Sequence, residues 1–358
     1  NREAYLSHLL KVIGHVRSEK VEFLIVDNSD QPLLESALPK DSRIRLVRSP
    51  KRLSMTSNWE LGLINALAPW RTFIGDDDGI IPSELDKFIE RIQSLDSEAV
   101  VAGFAHFYWP SDPSSEGVIS VWKSKKMGVH SLGLTGNIYR DFASIHFPIP
   151  YARTVFSLSL EKKVRSIQGG KFFTASSPDI NSGATISIFA EAIDYTPEIV
   201  PFIVGTSPSS NGVSGSNQKT KEDFFQLSDN EWLQELGLES RELNLLSYIE
   251  PLAQARKASH QPIELPGTTS LIWGTLLSTP RTKEIADHLL IVFPNHARNV
   301  KALSLIAFLI YPIVTFVGKW RWAASRLLFS GDRYFRQKSH SLRTIFEASK
   351  ALEDIVRD

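Results

Sequence analysis

An α/β fold with a mostly parallel sheet, followed by a helical region, is what this 358-residue sequence predicts. Short apolar runs alternate with amphipathic helical segments through the first half, the pattern of βαβ units. Two of those runs end abruptly in acidic residues, at Asp27 and at Asp76-Asp77-Asp78. Past a stretch rich in Ser, Gly and Asn at 206–218, strand periodicity gives way to helical periodicity. The boundary therefore falls near residue 218, giving an α/β domain over 1–218 and a helical region over 219–358.

The elements follow in order. Leu6, Leu9, Leu10, Ile13 and Val16 recur on one helical face. A chain that opens within a helix, with no secretory leader, is expected to lack the first strand of such a sheet. Residues 21–26 read as a buried strand ending at Asp27, and 43–47 as a second. A helix is predicted over 56–67, a third strand over 70–75, and a helix over 83–95. A fourth strand covers 99–107, and an edge strand 117–122. A helix is expected over 131–142. Ser177-Pro178-Asp179 opens another that runs to about Ile193, with Ser177 as cap and Pro178 in the first turn. Helical patterns then occupy 222–236, 240–258, 268–277 and the residues from 282 onward.

Composition narrows the function. Lys plus Arg and Asp plus Glu both number 40, so the chain lacks the basic excess of a nucleic-acid binder. With no cysteine there is no disulfide, thiolate metal site or thiol nucleophile. That fits a cytoplasmic setting. No G-x-S-x-G elbow or P-loop is present, which argues against hydrolase and kinase readings. His106, His130 and His146 lack metal-ligand spacing and read as structural. Trp70, Trp109 and Trp122 could stack on sugars, although core packing is the commoner fate of Trp.

The acidic turn carries the chemistry. Asp76, Asp77 and Asp78 follow the apolar run 72–75 and precede Gly79-Ile80-Ile81-Pro82, with no counter-charge nearby in sequence. Three adjacent carboxylates repel one another. A hard cation such as Mn2+ or Mg2+ offsets the repulsion, taking one or two of them and filling its other positions with phosphate oxygens and water. Ligands in open α/β sheets bind beyond the carboxyl ends of the strands, where Asp27 would join the triplet. A carboxylate at Asp27 can accept the imino hydrogen of a nucleobase such as uracil. Asp27-Asn28-Ser29 could equally close an Asx-turn.

These residues resemble family 2 glycosyltransferases with the GT-A fold, a Rossmann-like sheet flanked by helices. The resemblance rests on Asn1-Arg2, on Val26-Asp27-Asn28-Ser29, on Ser57-Asn58 and on Phe73-Ile74-Gly75-Asp76-Asp77-Asp78. It is clear over about the first hundred residues. It implies that Asp27 takes the nucleobase, that Asp76 lies on the ribose side, and that Asp76 and Asp78 belong to an Asp-x-Asp element whose Asp78 holds the metal bridging the diphosphate. Asp77 and Asn58 fall in the same donor-binding motifs. The family often has Arg-Asn where Ser57-Asn58 stands here, so a phosphate contact from that Arg is missing. A catalytic base is implied near a helix start well after the metal motif, which points to Asp179. Asp194, read as the end of the same helix, is the weaker candidate.

The resemblance thus implies inverting, metal-assisted transfer of a sugar from a nucleoside-diphosphate sugar, with UDP the presumed nucleotide, to a hydroxyl of a glycan or glycolipid, as in polysaccharide synthesis. A sugar-phosphate nucleotidyltransferase and a non-catalytic carbohydrate-binding protein of the same fold are the alternatives. In the C-terminal region, residues 302–317 are almost wholly apolar, yet short of the ~20 residues that span a bilayer. Trp320-Arg321-Trp322 and a helix mixing Arg326, Arg333 and Arg336 with Leu and Phe follow. Such a segment suits peripheral attachment to the anionic inner face of the cell membrane, or else completes the core. If it attaches, sedimentation with anionic liposomes will fall steeply as salt rises, and Trp320→Ala with Trp322→Ala will weaken it further. Absence of binding at low salt rules the attachment out.

Overall fold

The computed structural model describes residues 2–111, 117–123, 128–130, 147–208, 300–306, 333–337 and 342–357, together with positions 255, 258, 290 and 298. Eleven residues form α1 (Glu3–Ile13), whose apolar stripe buries Leu9, Leu10, Val12 and Ile13. Strands β1 (Phe23–Asp27) and β2 (Ile44–Arg48) pair in parallel, with Phe23 opposite Ile44 and Asp27 opposite Arg48. Helix α2 (Met55–Asn65) follows, capped by the Ser54 hydroxyl, which accepts from the Ser57 amide. After β3 (Trp70–Arg71) and β4 (Gly79–Ile80) comes α3 (Pro82–Ile92), with Pro82 in its first turn.

The predicted fourth strand is two, β5 (Ala99–Ala102) and β6 (Phe104–Tyr108). At Gly103 between them the amide turns out of the ladder to Thr196 O (3.3 Å) and Ile199 O (2.8 Å). Strands β7 (Val118–Lys123), β8 (Gly128–His130) and β9 (Thr154–Ser157) follow, then helices α4 (Leu158–Ile167) and α5 (Pro178–Phe189). Strands β10 (Ile193–Thr196) and β11 (Phe202–Thr206) lead to β12 (Arg333–Gln337) and helix α6 (Ile345–Arg357).

Among the described residues the strands form a two-stranded sheet and two five-stranded sheets, ordered β3-β9-β5-β10-β8 and β12-β7-β6-β11-β4. Each larger sheet holds one parallel pair, β5 with β10 and β6 with β11, beside antiparallel neighbours. The pairing is thus mixed where a mostly parallel sheet was expected. The cause is local. Residues 99–102 pair with 193–196 and 104–108 with 202–206, on either side of Gly103, and antiparallel strands fill the positions around them.

Four further expectations change. Strand β7 is not an edge, because β6 and β12 flank it. Residues 333–337 are not helical: Arg333-Tyr334-Phe335-Arg336-Gln337 pairs antiparallel with β7, so strand structure returns late in the chain. Helix α5 ends at Phe189, and Asp194 lies in β10 because residues 193–196 complete the ladder beside β5. Ser177 holds the cap position of α5, but its hydroxyl makes no capping bond. The expected helix at 131–142 lies outside the described residues, as do nearly all of those from 222 to 299, although positions 255, 258, 290 and 298 are helical. Of the apolar run, residues 302–306 are helical, with Leu305 and Ile306 exposed. Among the described residues no helix is long and apolar enough to cross a membrane.

Helix α6 packs against β4, β6, β7 and β11 and their flanks. Ile345, Ala348, Leu352 and Val356 recur every three or four residues and are buried with Ile81, Phe107, Ile119 and Ile203. The Ser349 hydroxyl donates to Ile80 O at 2.6 Å. The start of α3 has no capping side chain of its own, and Glu353 supplies one by accepting from the Ser83 amide at 2.8 Å. Emptying the Leu352 position should therefore be costly: Leu352→Ala is expected to lower unfolding free energy by ~2–5 kcal/mol, read from urea unfolding. A change within a few tenths would show that α6 is loosely docked.

Candidate active site

The acidic turn leaves the strand region at Phe73, whose amide donates to Pro150 O (3.0 Å) and whose carbonyl accepts from the Ala152 amide (2.7 Å). That anchorage brings Tyr151 against the turn. Gly75 is needed there, because a Cβ would lie 2.5 Å from the Tyr151 Oη. The three carboxylates then separate in depth and in role.

Asp78 is fully buried. Its Oδ2 accepts from the Gly75 amide at 2.5 Å and its Oδ1 from the Gly205 amide at 2.7 Å. The Tyr151 hydroxyl donates to it as well. Burial, followed by the charge of Asp77, pushes Asp78 up to about 7, against the pull of those three donors. Asp77 is buried too, with Oδ2 accepting from the Ser207 hydroxyl (2.8 Å) and its carbonyl from the Trp109 indole (2.9 Å). Strand β11 packs directly on this peptide, since a Cβ at Gly205 would lie 1.8 Å from Asp77 O. Asp76 is the most exposed of the three.

A counter-charge does exist, from the far end of α1. The Arg2 Nε donates to both oxygens of Asp76 at 2.8 Å, and its Nη2 lies 2.5 Å from both Asp76 Oδ1 and Asp77 Oδ1. Burial works against the Arg2 charge, but the two carboxylates outweigh it and raise its pKa. Sequence distance hid this pair: 74 positions separate Arg2 from Asp76. Tyr151, Gly205 and Ser207 were likewise missed. The break at Pro148-Ile149-Pro150 was the only sequence signal near Tyr151.

Asp27 ends β1 buried, accepting from the amides of Ser29 (3.0 Å) and Leu33 (2.8 Å) and from Arg48. These donors overcome burial and hold its carboxyl below the ordinary range. The Asx-turn is thus real, and it leaves the carboxylate charged beneath the loop. Asn28 fastens that loop to the start of α2, donating to Leu53 O (2.9 Å) and accepting from the Leu53 amide (2.8 Å). No contact joins Asp27 to the triplet among the described residues; α2 links them. Asn58 lies in the first turns of α2, and its Oδ1 is buried with no hydrogen-bond partner. An acceptor left without a donor there suits a group brought by a ligand.

The aromatic ring next to Asn58 ties the parts together. Trp59 stacks on Phe73 (4.5 Å) and Tyr151 (5.7 Å) and meets Phe173 edge-on (5.6 Å). Thr56 donates to Ala175 O at 2.7 Å, so the starts of α2 and α5 are neighbours. Asp179, in the first turn of α5, lies near enough to Tyr151 for its charge to act on that hydroxyl. Burial raises the Asp179 pKa, against the amides of Ile180 and of Asp179 itself. Asn58, the acidic turn and Asp179 are therefore brought together, with Asp27 at the loop beyond α2. Asp194 stays apart, within β10.

Among the described residues no group of three or more side chains could hold a metal. Asp78 has both oxygens committed to backbone amides. Asp76 and the Asp77 Oδ1 face Arg2 and fit a cation that takes one or two carboxylates and draws its other ligands from phosphate and water.

A linkage prediction follows from Asp78. The folded protein keeps a proton that the unfolded chain releases near 3.8, up to about 7. The contribution of Asp78 to stability is thus present at low pH and lost as pH rises through that window, levelling off above it. Urea unfolding between about pH 4 and about pH 8 should show Asp78→Asn lacking this loss relative to the parent. Parallel profiles for the two proteins would contradict it.

Comparisons with known proteins bear on the N-terminal part. Residues 1–149 match the model described as glycosyl transferase family 2. No curated protein matches the chain. Among solved structures it is similar to S. aureus TarS 1–349 in complex with UDP-GlcNAc, at 14% identity over 88% of this chain and 89% of that one, with a TM-score of 0.48. The same fragment in complex with UDP gives 14% identity, 89% of each chain and a TM-score of 0.48. The matched segment, residues 1–149, holds the acidic turn at its centre.

Proposed function

We propose that the chain transfers a sugar, with inversion, from a nucleoside-diphosphate sugar to a hydroxyl acceptor. The observation that carries the reading is the convergence on Tyr151 of Asp78, of Trp59 from α2 and of Asp179 from α5, beside an acidic turn that lies in the segment matching a glycosyltransferase family. Asp27 serves the nucleobase and Asn58 offers its unpartnered oxygen to the donor. Asp76 faces the donor, and Asp77 fixes the turn through Ser207 and Trp109. Asp76 and Asp77 would hold Mn2+ or Mg2+ in place of the Arg2 guanidinium, and the cation would offset charge on the departing diphosphate. Asp78 supports that position from beneath.

Asp179 removes the proton from the acceptor hydroxyl while that oxygen attacks the anomeric carbon opposite the diphosphate. A carboxyl whose pKa is raised by burial is a stronger base than a solvated one. The acceptor as a glycan or glycolipid, and attachment to an anionic membrane, belong to the same proposal. Exposed Leu305 and Ile306 support the attachment.

Mn2+-dependent stabilisation by UDP and turnover of UDP-sugars test the assignment together. Asp179→Asn should keep donor binding and lose transfer by ~10²–10⁴. Asp76→Ala should lose the Mn2+-dependent part of UDP stabilisation, read by thermal shift. Transfer at the parental rate by Asp179→Asn would move the base elsewhere. A parent that binds UDP and never turns over a sugar would be a binding protein.

A further inference from the structure

Away from the acidic turn, a guanidinium is buried without an anion. Arg153 follows Tyr151 and Ala152 and lies over the Phe104 ring, its Cζ 5.0 Å from the centroid. Its Nε and Nη2 are both shut off from solvent and have no hydrogen-bond partner among the described residues. Burial pulls its pKa down to about 10, and among titratable groups only Tyr195 acts in favour of the charge. No carboxylate contributes. Guanidinium does not release its proton at physiological pH, so a charge remains with two donors unmet. Leaving a buried charge uncompensated costs several kcal/mol.

The two unmet donors are not an arbitrary pair. Nε–H and Nη2–H point the same way from the guanidinium plane, and together they form the edge that grips two oxygens at once. Arg2 uses that same edge on Asp76. Beside it stands His106, edge-on to Phe104 at 5.1 Å, with its own buried Nδ1 unpartnered. Burial first, and the charge of Arg153 second, push His106 down to about 4, so the ring is neutral and able to donate from one nitrogen. The next residue on that face of β6, Tyr108, stacks on His106 at 5.9 Å and is exposed. After it comes Trp109, bonded to the acidic turn. A strip of rings thus runs along one face of β6 from Phe104, under Arg153, to the exposed Tyr108.

We propose that the Nε/Nη2 edge of Arg153, with His106 beside it, receives an oxyanion carried by the acceptor: a carboxylate or a phosphate. The oxyanion anchors one end of the acceptor while the exposed Tyr108, stacked on His106, offers the acceptor a stacking face. That the anion belongs to an acceptor rests on the glycosyltransferase reading; the anion site itself does not.

Thermal shift of the whole chain tests it, with inorganic phosphate and acetate as probes and chloride at matched ionic strength as control. The expected result is a saturable rise in melting temperature with one of the two anions in the parent and none in Arg153→Met, while the response to UDP with Mn2+ is the same in both. Phosphate or acetate as the active probe separates a phosphate-bearing acceptor from a carboxylate-bearing one. If Arg153→Met does not fold, Arg153→Lys keeps the charge without the fork, and its apparent affinity for the active anion should fall at least tenfold. No saturable response in the parent overturns the proposal, as does an undiminished response in Arg153→Met or Arg153→Lys. Loss of the UDP response in the parent, with the anion response intact, would instead strike the glycosyltransferase reading and leave the anion site standing.

Discussion

The bonds from Asp78 to the amides of Gly75 and Gly205 set the geometry of everything around the acidic turn. One oxygen holds the turn's own entry and the other holds strand β11, so two segments distant in sequence are fixed to a single carboxylate. A charge in that position is unfavourable by itself, and three donors aimed at it make the burial tolerable. With Asp78 committed below, Asp77 is fixed in depth by Ser207 and Trp109, and Asp76 is lifted to the surface. The turn works because its three identical side chains are not equivalent.

A second layer of order comes from the aromatic stack. Trp59, Phe73, Tyr151 and Phe173 arise from α2, the approach to the turn, the loop before β9 and the approach to α5. Rings in stacked and edge-on contact resist sliding, so the helix carrying Asn58 and the helix carrying Asp179 keep a fixed relation to the acidic turn. Site residues sit at the ends of elements, and the rings lock those ends together. Arg2 then balances the excess negative charge from a third direction.

How far the sequence revealed this follows from what each signal measures. Periodicity located α1, α3 and the first two strands, because each has one apolar face or a continuous apolar run. The strand at 99–107 was visible as β structure, but its division at Gly103 was not, since the bend depends on carbonyls of residues 196 and 199. Asp76, Asp77 and Asp78 were legible as a cluster. Their separate roles were not, because those roles come from Arg2, Tyr151, Gly205 and Ser207, none of them sequence neighbours. Residues 333–337 read as part of a basic helix because Arg, Tyr and Phe fit an amphipathic helix as well as a strand. Only the ladder with β7 decides between them. Arg153 gave no signal at all, for a lone arginine in a sequence does not say whether a carboxylate will meet it.

The docking of α6 has a consequence for the order in which the molecule can form. Ribosomes deliver chains from the N-terminus, and domains generally fold as they emerge. Here the flank beside β4 is covered by residues 345–357, and Glu353 lies 270 positions after the Ser83 amide that it caps. Until those residues emerge, Ile81, Ile119 and Ile203 lack their apolar partner, and the start of α3 lacks Glu353. That flank therefore stays uncovered from the time its strands emerge until α6 has been made, and this is an interval in which a chaperone would have something to hold.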